Sequence, residues 1–139
     1  MKTKIVFSKK CLEFSYHNFI PDNSDRIENA YNFLKKLEYD FIDPEPAEES
    51  TLLTVHSKEY IDAIKNGCFE DDDTPAWEGI YEYARLAAGA AIKAAEINGF
   101  SLMRPPDHHA GRNGLALDAD SRGFCYFNNI SIAAARAGL

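Results

Sequence analysis

The run Arg104-Pro105-Pro106-Asp107-His108-His109-Ala110-Gly111 gathers more reactive side chains than any other stretch of the chain. Its adjacent imidazoles can exchange protons near neutral pH, and only His17 and His56 carry the same group elsewhere. In a regular strand neighbouring side chains point to opposite faces. In an irregular turn after Pro105-Pro106 both can face one pocket. One imidazole could then take a proton from water while the other orients or tunes it. A bare His-His pair is by base rate a pair of loop histidines bonded to the backbone. Its surroundings must decide.

Those surroundings contain three further candidates. Asp71-Asp72-Asp73 precedes Thr74-Pro75. Gly123-Phe124-Cys125-Tyr126-Phe127-Asn128-Asn129 follows the histidines after a glycine-rich stretch. Arg26 sits near the start of a helical pattern. Taken singly, Phe124 reads as a core residue, the aspartates as a solvated loop and Arg26 as a helix-surface residue. The three cysteines, Cys11, Cys68 and Cys125, form no C-x-x-C pair, which argues against a disulfide framework or a thiolate zinc site. A reducing cytoplasm is the natural compartment. A formal charge of −7 argues against direct binding to nucleic acid and is compatible with a cationic substrate. No apolar run approaches the ~20 residues of a membrane span, and no signal peptide is visible.

The elements that must position these residues follow from period and punctuation. Lys4 to Ser8 reads as a strand covered on both faces, and residues 9–23 as a loop holding Phe14, Tyr16, His17 and Phe19. A helix is predicted over 25–38, capped by Asp22, Asn23 or Ser24, with Ile27, Tyr31, Leu34 and Leu37 on one face. Residues 43–50 form an acidic loop broken by prolines. Thr51 to His56 reads as a short helix. Ser57 caps the next helix and Gly67 stops it. Thr74-Pro75 reads as the start of a long helix running to about Asn98. Its stretch Ala87 to Ala91 around Gly89 offers a thin surface for close packing. Phe100 to Met103 is a second strand, and residues 105–123 are a long irregular segment. Phe124 to Asn129 is predicted to be extended, with Asn128 or Asn129 capping a last helix over 130–137. The pattern is α/β, with a parallel sheet.

The Arg-Pro-Pro-x-His-His-Ala run followed by Gly123-Phe124-Cys125-Tyr126 resembles the zinc-dependent deacetylases of the histone deacetylase family. Acetoin-utilization proteins and acetylpolyamine amidohydrolases belong to the same family. Val55-His56-Ser57-Lys58-Glu59-Tyr60 and Asp73-Thr74-Pro75-Ala76-Trp77-Glu78-Gly79-Ile80-Tyr81 resemble two more of its segments. The resemblance implies a three-layer, parallel-sheet arginase/deacetylase-like fold, of which residues 1–139 would be the N-terminal portion. It implies that His109 deprotonates a zinc-bound water and that His108 is its partner. Gly123 and Phe124 would wall the tube for an acyl-lysine stem, and Asp73 would be a rim carboxylate holding the substrate backbone. Arg26 would line an internal channel.

Two departures qualify these roles. Asp107 stands where the family most often has glycine, and the His-Pro-Glu segment usual before the first helix is only partly kept in Ile20-Pro21-Asp22-Asn23. The Asp-x-His zinc ligands, a second aspartate and a carbonyl-polarising tyrosine would all lie beyond Leu139. No metal ligand is therefore assigned in this chain, and zinc is expected only for the complete domain. Two readings follow: an N-terminal piece of a deacetylase, inactive alone, or a non-catalytic module. The module would pair with itself or with a separate C-terminal chain through an open sheet edge. A metal set of His108, His109 and Asp107 ranks last, because adjacent histidines chelate one ion poorly.

Overall fold

The structure is a computed structural model describing residues 1–15, 21–69 and 71–139. Tyr16, His17, Phe19 and Ile20, read above as part of a loop, lie outside the described residues. β1 (Ile5–Val6) forms the middle of a three-stranded sheet of order β2-β1-β3, with β2 at Phe41–Ile42 and β3 at Phe100–Ser101. Both pairings are parallel: Ile5 faces Phe41 and Phe100, and Val6 faces Ile42 and Ser101.

Alternation along β1 builds three layers. Ile5 and Phe7 point to one face and join Cys11, Ile27 and Leu102 under α1 (Ser24–Lys36). Val6 points to the other and meets Ala90 and Ala94 of α4 (Ile80–Glu96). The strand is thus covered on both sides, as its unbroken apolar character predicts. Beyond α4, the largest cluster joins Phe14, Leu52, Tyr60, Ile61, Ile64, Ala84, Ala88, Tyr126, Phe127 and Ile132. It binds α2 (Glu49–Leu52), α3 (Lys58–Asn66) and α5 (Asn129–Arg136) to α4.

Several caps act as their sequence predicts. Asn23 Oδ1 accepts from Arg26 N at 3.2 Å, Ser57 Oγ from Tyr60 N at 3.2 Å, and Asn128 Oδ1 from Ser131 N at 3.0 Å. Gly67 ends α3 with φ 66°, the left-handed stop expected of glycine. Gly89 explains the thin face of α4. A Cβ there would stand 1.7 Å from the Glu45 carbonyl oxygen, so the 45–47 chain crosses directly on the helix backbone.

Three expectations are corrected and one strand is added. The short helix read over Thr51 to His56 lies at Glu49–Leu52, with turns following it. α4 begins at Ile80, not at Thr74-Pro75, because the Thr74 hydroxyl accepts from Phe124 N at 3.2 Å and so does not cap the helix. Gly79, at φ 80°, interrupts the helical path just before Ile80. Phe124 is not extended: Gly123 and Phe124 both lie in the left-handed region, at φ 54° and 69°. β2 was not foreseen, since two apolar residues between Asp40 and Asp43 carry no readable period. Among the described residues, no helix is long and apolar enough to cross a membrane.

Candidate active site

Residues 122–125 join two other irregular segments: 71–74, through Asp71 and Thr74, and 107–111, through Cys125 and His109. The histidine segment is held almost entirely by its backbone. His108 N and His109 N both donate to the Cys125 sulfur, at 3.2 and 3.3 Å. Asn129 N donates to the Asp107 carbonyl at 2.9 Å. The Asn128 amide donates to the carbonyls of His108 and Ala110, at 3.3 and 3.1 Å. Burial pushes the Cys125 thiol pKa up, the two histidine N–H groups opposing it, so the sulfur acts as a neutral acceptor.

His56 closes this scaffold from the other side. It is fully buried, with Nδ1 2.9 Å from the Gly111 carbonyl, while Asn128 N donates to Nε2 at 2.9 Å. A backbone N–H can only donate, so Nε2 carries no proton and Nδ1–H gives to Gly111. Burial lowers its pKa and favours this neutral form.

Backbone anchoring leaves both imidazoles of the pair outside. His108 and His109 are exposed, and their ring centroids lie 4.1 Å apart at 67°. His109 Nδ1 lies 3.3 Å from the Gly123 carbonyl oxygen. A Cβ on Gly123 would stand 2.0 Å from that same nitrogen, so only glycine admits the ring here. Asp107 Oδ1 is 3.9 Å from His108 Nδ1, and burial raises the carboxyl's pKa against the opposing effects of His108 and Asn129.

The remaining predicted residues are placed less directly. Phe124, half-buried beside Gly123, donates its N–H to Thr74. Asp73 donates its N–H to Asp71 Oδ1 at 2.9 Å, which joins it to the same rim. Arg26 is half exposed on α1 and pairs with Asp22 at 3.0 Å. Arg104, by contrast, is completely buried: Nε lies 3.1 Å from Asp22 Oδ1, and Nη1 donates to the Cys11 and Phe14 carbonyls. Arg26 and Arg104 therefore share one carboxylate, while the histidines, Gly123 and Phe124 form a separate cluster.

Sequence reasoning passed over His56, Cys125, Asn128 and Asp71 as anchors. All but Asp71 lie inside a motif, but the bonds that anchor the site span from 16 to 72 positions, which no local spacing reveals. Among the described residues, no group of three or more His, Cys, Asp and Glu side chains could hold a metal ion. Asp107 and the two histidines do not make a zinc donor set.

The chain belongs to the histone deacetylase family: the model described as "Histone deacetylase domain" matches residues 20–139. It is 33% identical over 144 residues to an uncharacterized protein of Methanocaldococcus jannaschii, covering 94% of this chain and 42% of that protein. It is 32% identical over 149 residues to a probable deacetylase of Archaeoglobus fulgidus, covering 95% of this chain and 40% of the relative. The crystal structure of the HDA15 HD domain superposes with a TM-score of 0.84 at 27% identity, over 98% of this chain and 43% of that one. The fold is the α/β arginase/deacetylase type that the motifs imply. The chain spans less than half the length of these relatives.

Proposed function

We propose that this chain contributes the proton-transfer histidines and one wall of the acyl-binding passage to a hydrolase of acetylated lysine or another acetylated amine. The observation that carries this reading is the exposed imidazole pair, 4.1 Å apart, with His109 seated on Gly123. In this reading His109 takes a proton as water adds to the amide carbonyl, then returns it to the nitrogen as the C–N bond breaks. His108 orients its neighbour and stabilises the developing charge. Gly123 and Phe124 flank the acyl stem, Asp73 holds the substrate backbone at the rim, and Arg26 lines a channel below. A zinc ion, if bound by residues other than those described, would polarise the amide.

We further propose that residues 1–139 are the N-terminal portion of a longer deacetylase-like domain that works in the cytoplasm. Shares of 42% and 40% of the relatives' lengths support this, as does the name of the Archaeoglobus protein. The purified chain is expected to bind no stoichiometric zinc and to leave an acetyl-lysine peptide intact. Metal analysis and an amide-hydrolysis assay check this, and stoichiometric zinc with turnover would sink it. In a longer polypeptide that carries this sequence and is active, His109→Ala should lower turnover by roughly 10²–10⁴-fold.

A second reading has one observation in its favour. β3 stands at the edge of the described sheet, and its Phe100 is 55% exposed. An open edge invites another chain, either a second copy or a separate C-terminal polypeptide. Light scattering decides: a strict monomer that captures no partner rejects the pairing module.

A further inference from the structure

We propose that Asp71 is a positioning residue for the histidine pair, acting through Arg122 on the left-handed turn at Gly123 and Phe124. The proposal rests on the reading of His109 given above and names what holds its ring in place. The Asp71 side chain is fully buried and that of Arg122 is 9% exposed, so the pair is an internal strut. Asp71 Oδ2 accepts from Arg122 N at 2.6 Å and from Arg122 Nη1 at 3.1 Å. Its other oxygen accepts from Asp73 N at 2.9 Å, and its carbonyl accepts from Thr74 N at 3.3 Å. One carboxylate thus shapes the rim segment and grips the residue next to Gly123. The Arg122 guanidinium is backed by the rings of Phe69 and Tyr60, at 5.1 and 5.5 Å.

The grip matters because the turn it holds is unfavourable by itself. Phe124, at φ 69°, occupies a region that residues with a Cβ rarely adopt, and such geometry persists only where the surroundings enforce it. Two links enforce it here, both from the 71–74 segment: Asp71 to Arg122, and the Thr74 hydroxyl to Phe124 N at 3.2 Å. The turn in turn sets the Gly123 carbonyl 3.3 Å from His109 Nδ1 and leaves the gap over Gly123 that the ring fills. The chain of contact therefore runs from Asp71 through Arg122 and Gly123 to His109. The sequence alone presents Asp71 as one of three loop aspartates.

Histidine-ring and amide NMR on the 139-residue chain tests this without any catalytic assay. The double variant Asp71→Asn/Arg122→Leu removes both charges and leaves no uncompensated buried ion. Its His109 ring signals should move, and exchange of the Phe124 amide should quicken about tenfold or more. His56 is bonded to Gly111 and Asn128 instead, so its ring signals should stay in place. Restoring the cation as Asp71/Arg122→Lys should return the His109 signals part of the way. Unmoved His109 and Phe124 signals in the double variant overturn the proposal. If the double variant loses the His56 signals too, Asp71→Glu decides. A change confined to His109 and Phe124 then supports positioning, and a change spread over the whole chain overturns it. Amide hydrolysis is read separately. In an active longer polypeptide that carries this sequence, unchanged turnover of His109→Ala, with the His109 ring displaced as expected in the double variant, would count against the proposed function and leave the positioning role standing.

Discussion

His56 shows how one side chain can serve a site without taking part in its chemistry. Its ring joins Gly111, at the end of the histidine segment, to Asn128, the cap of α5. The bond accepted from Asn128 N needs the neutral ring, and burial lowers its pKa below the ordinary 6.5. The sign of the pH effect follows. The unfolded chain takes up the proton first, so the stability gained from neutral His56 is full above 6.5 and declines as pH falls below it, levelling once the folded-state pKa is passed. Urea unfolding between about pH 7.5 and about pH 5 should show this decline. His56→Gln should be less stable at neutral pH and should lose that part of the slope. An unchanged slope would remove His56 as its source. The V-H-S motif made His56 visible in the sequence, but its partners, 55 and 72 positions away, were not.

At the scale of elements, α4 carries the clearest physical signature. Its small residues let the sheet approach on one side, through Val6, Ala90 and Ala94, and the 45–47 chain on another. In an exposed helix, replacing glycine by alanine stabilises by roughly 0.5–1 kcal/mol. Gly89→Ala should do the opposite and cost about 1–3 kcal/mol, because the new methyl collides with backbone and not with a movable side chain. Thermal unfolding of the variant measures this, and a raised midpoint would contradict the packing described. Helices α1 and α3 were legible because amphipathic spacing and a cap coincided in each. β2 was not, since a two-residue strand is defined by its partner β1 and not by any pattern of its own. The start of α4 was misplaced for a related reason: Thr74 looks like a cap, yet a residue 50 positions away claims its hydroxyl.

For the molecule as a whole, the Arg104–Asp22 pair ties together two distant parts of the chain, 82 positions apart. Arg104 is completely buried, lies 3.8 Å from the centre of the Phe14 ring, and donates to carbonyls in the segment that leads from β1. Asp22 is its counter-ion and also holds Arg26. Asp22→Ala would strand a buried cation and is expected to cost about 3–5 kcal/mol, read from urea unfolding. A loss below about 1 kcal/mol would mean that the carbonyls alone suffice for Arg104. The pair also fixes the strand-to-loop junction from which the histidine segment departs, so a site loosened in this variant is expected along with the lost stability.

The amino-acid sequence by itself determined the family, the α/β class, most helix ends and the identity of the histidine pair. These rest on motifs, caps and periods carried by residues close together in the chain. Tertiary structure alone decided which side chains support the pair. Cys125, Asn128, His56 and the Asp71–Arg122 strut act through bonds between distant segments, and only folding sets those distances. It also decided the left-handed path of Gly123 and Phe124, a conformation that Phe124 does not favour and that Thr74 and Asp71 hold from outside.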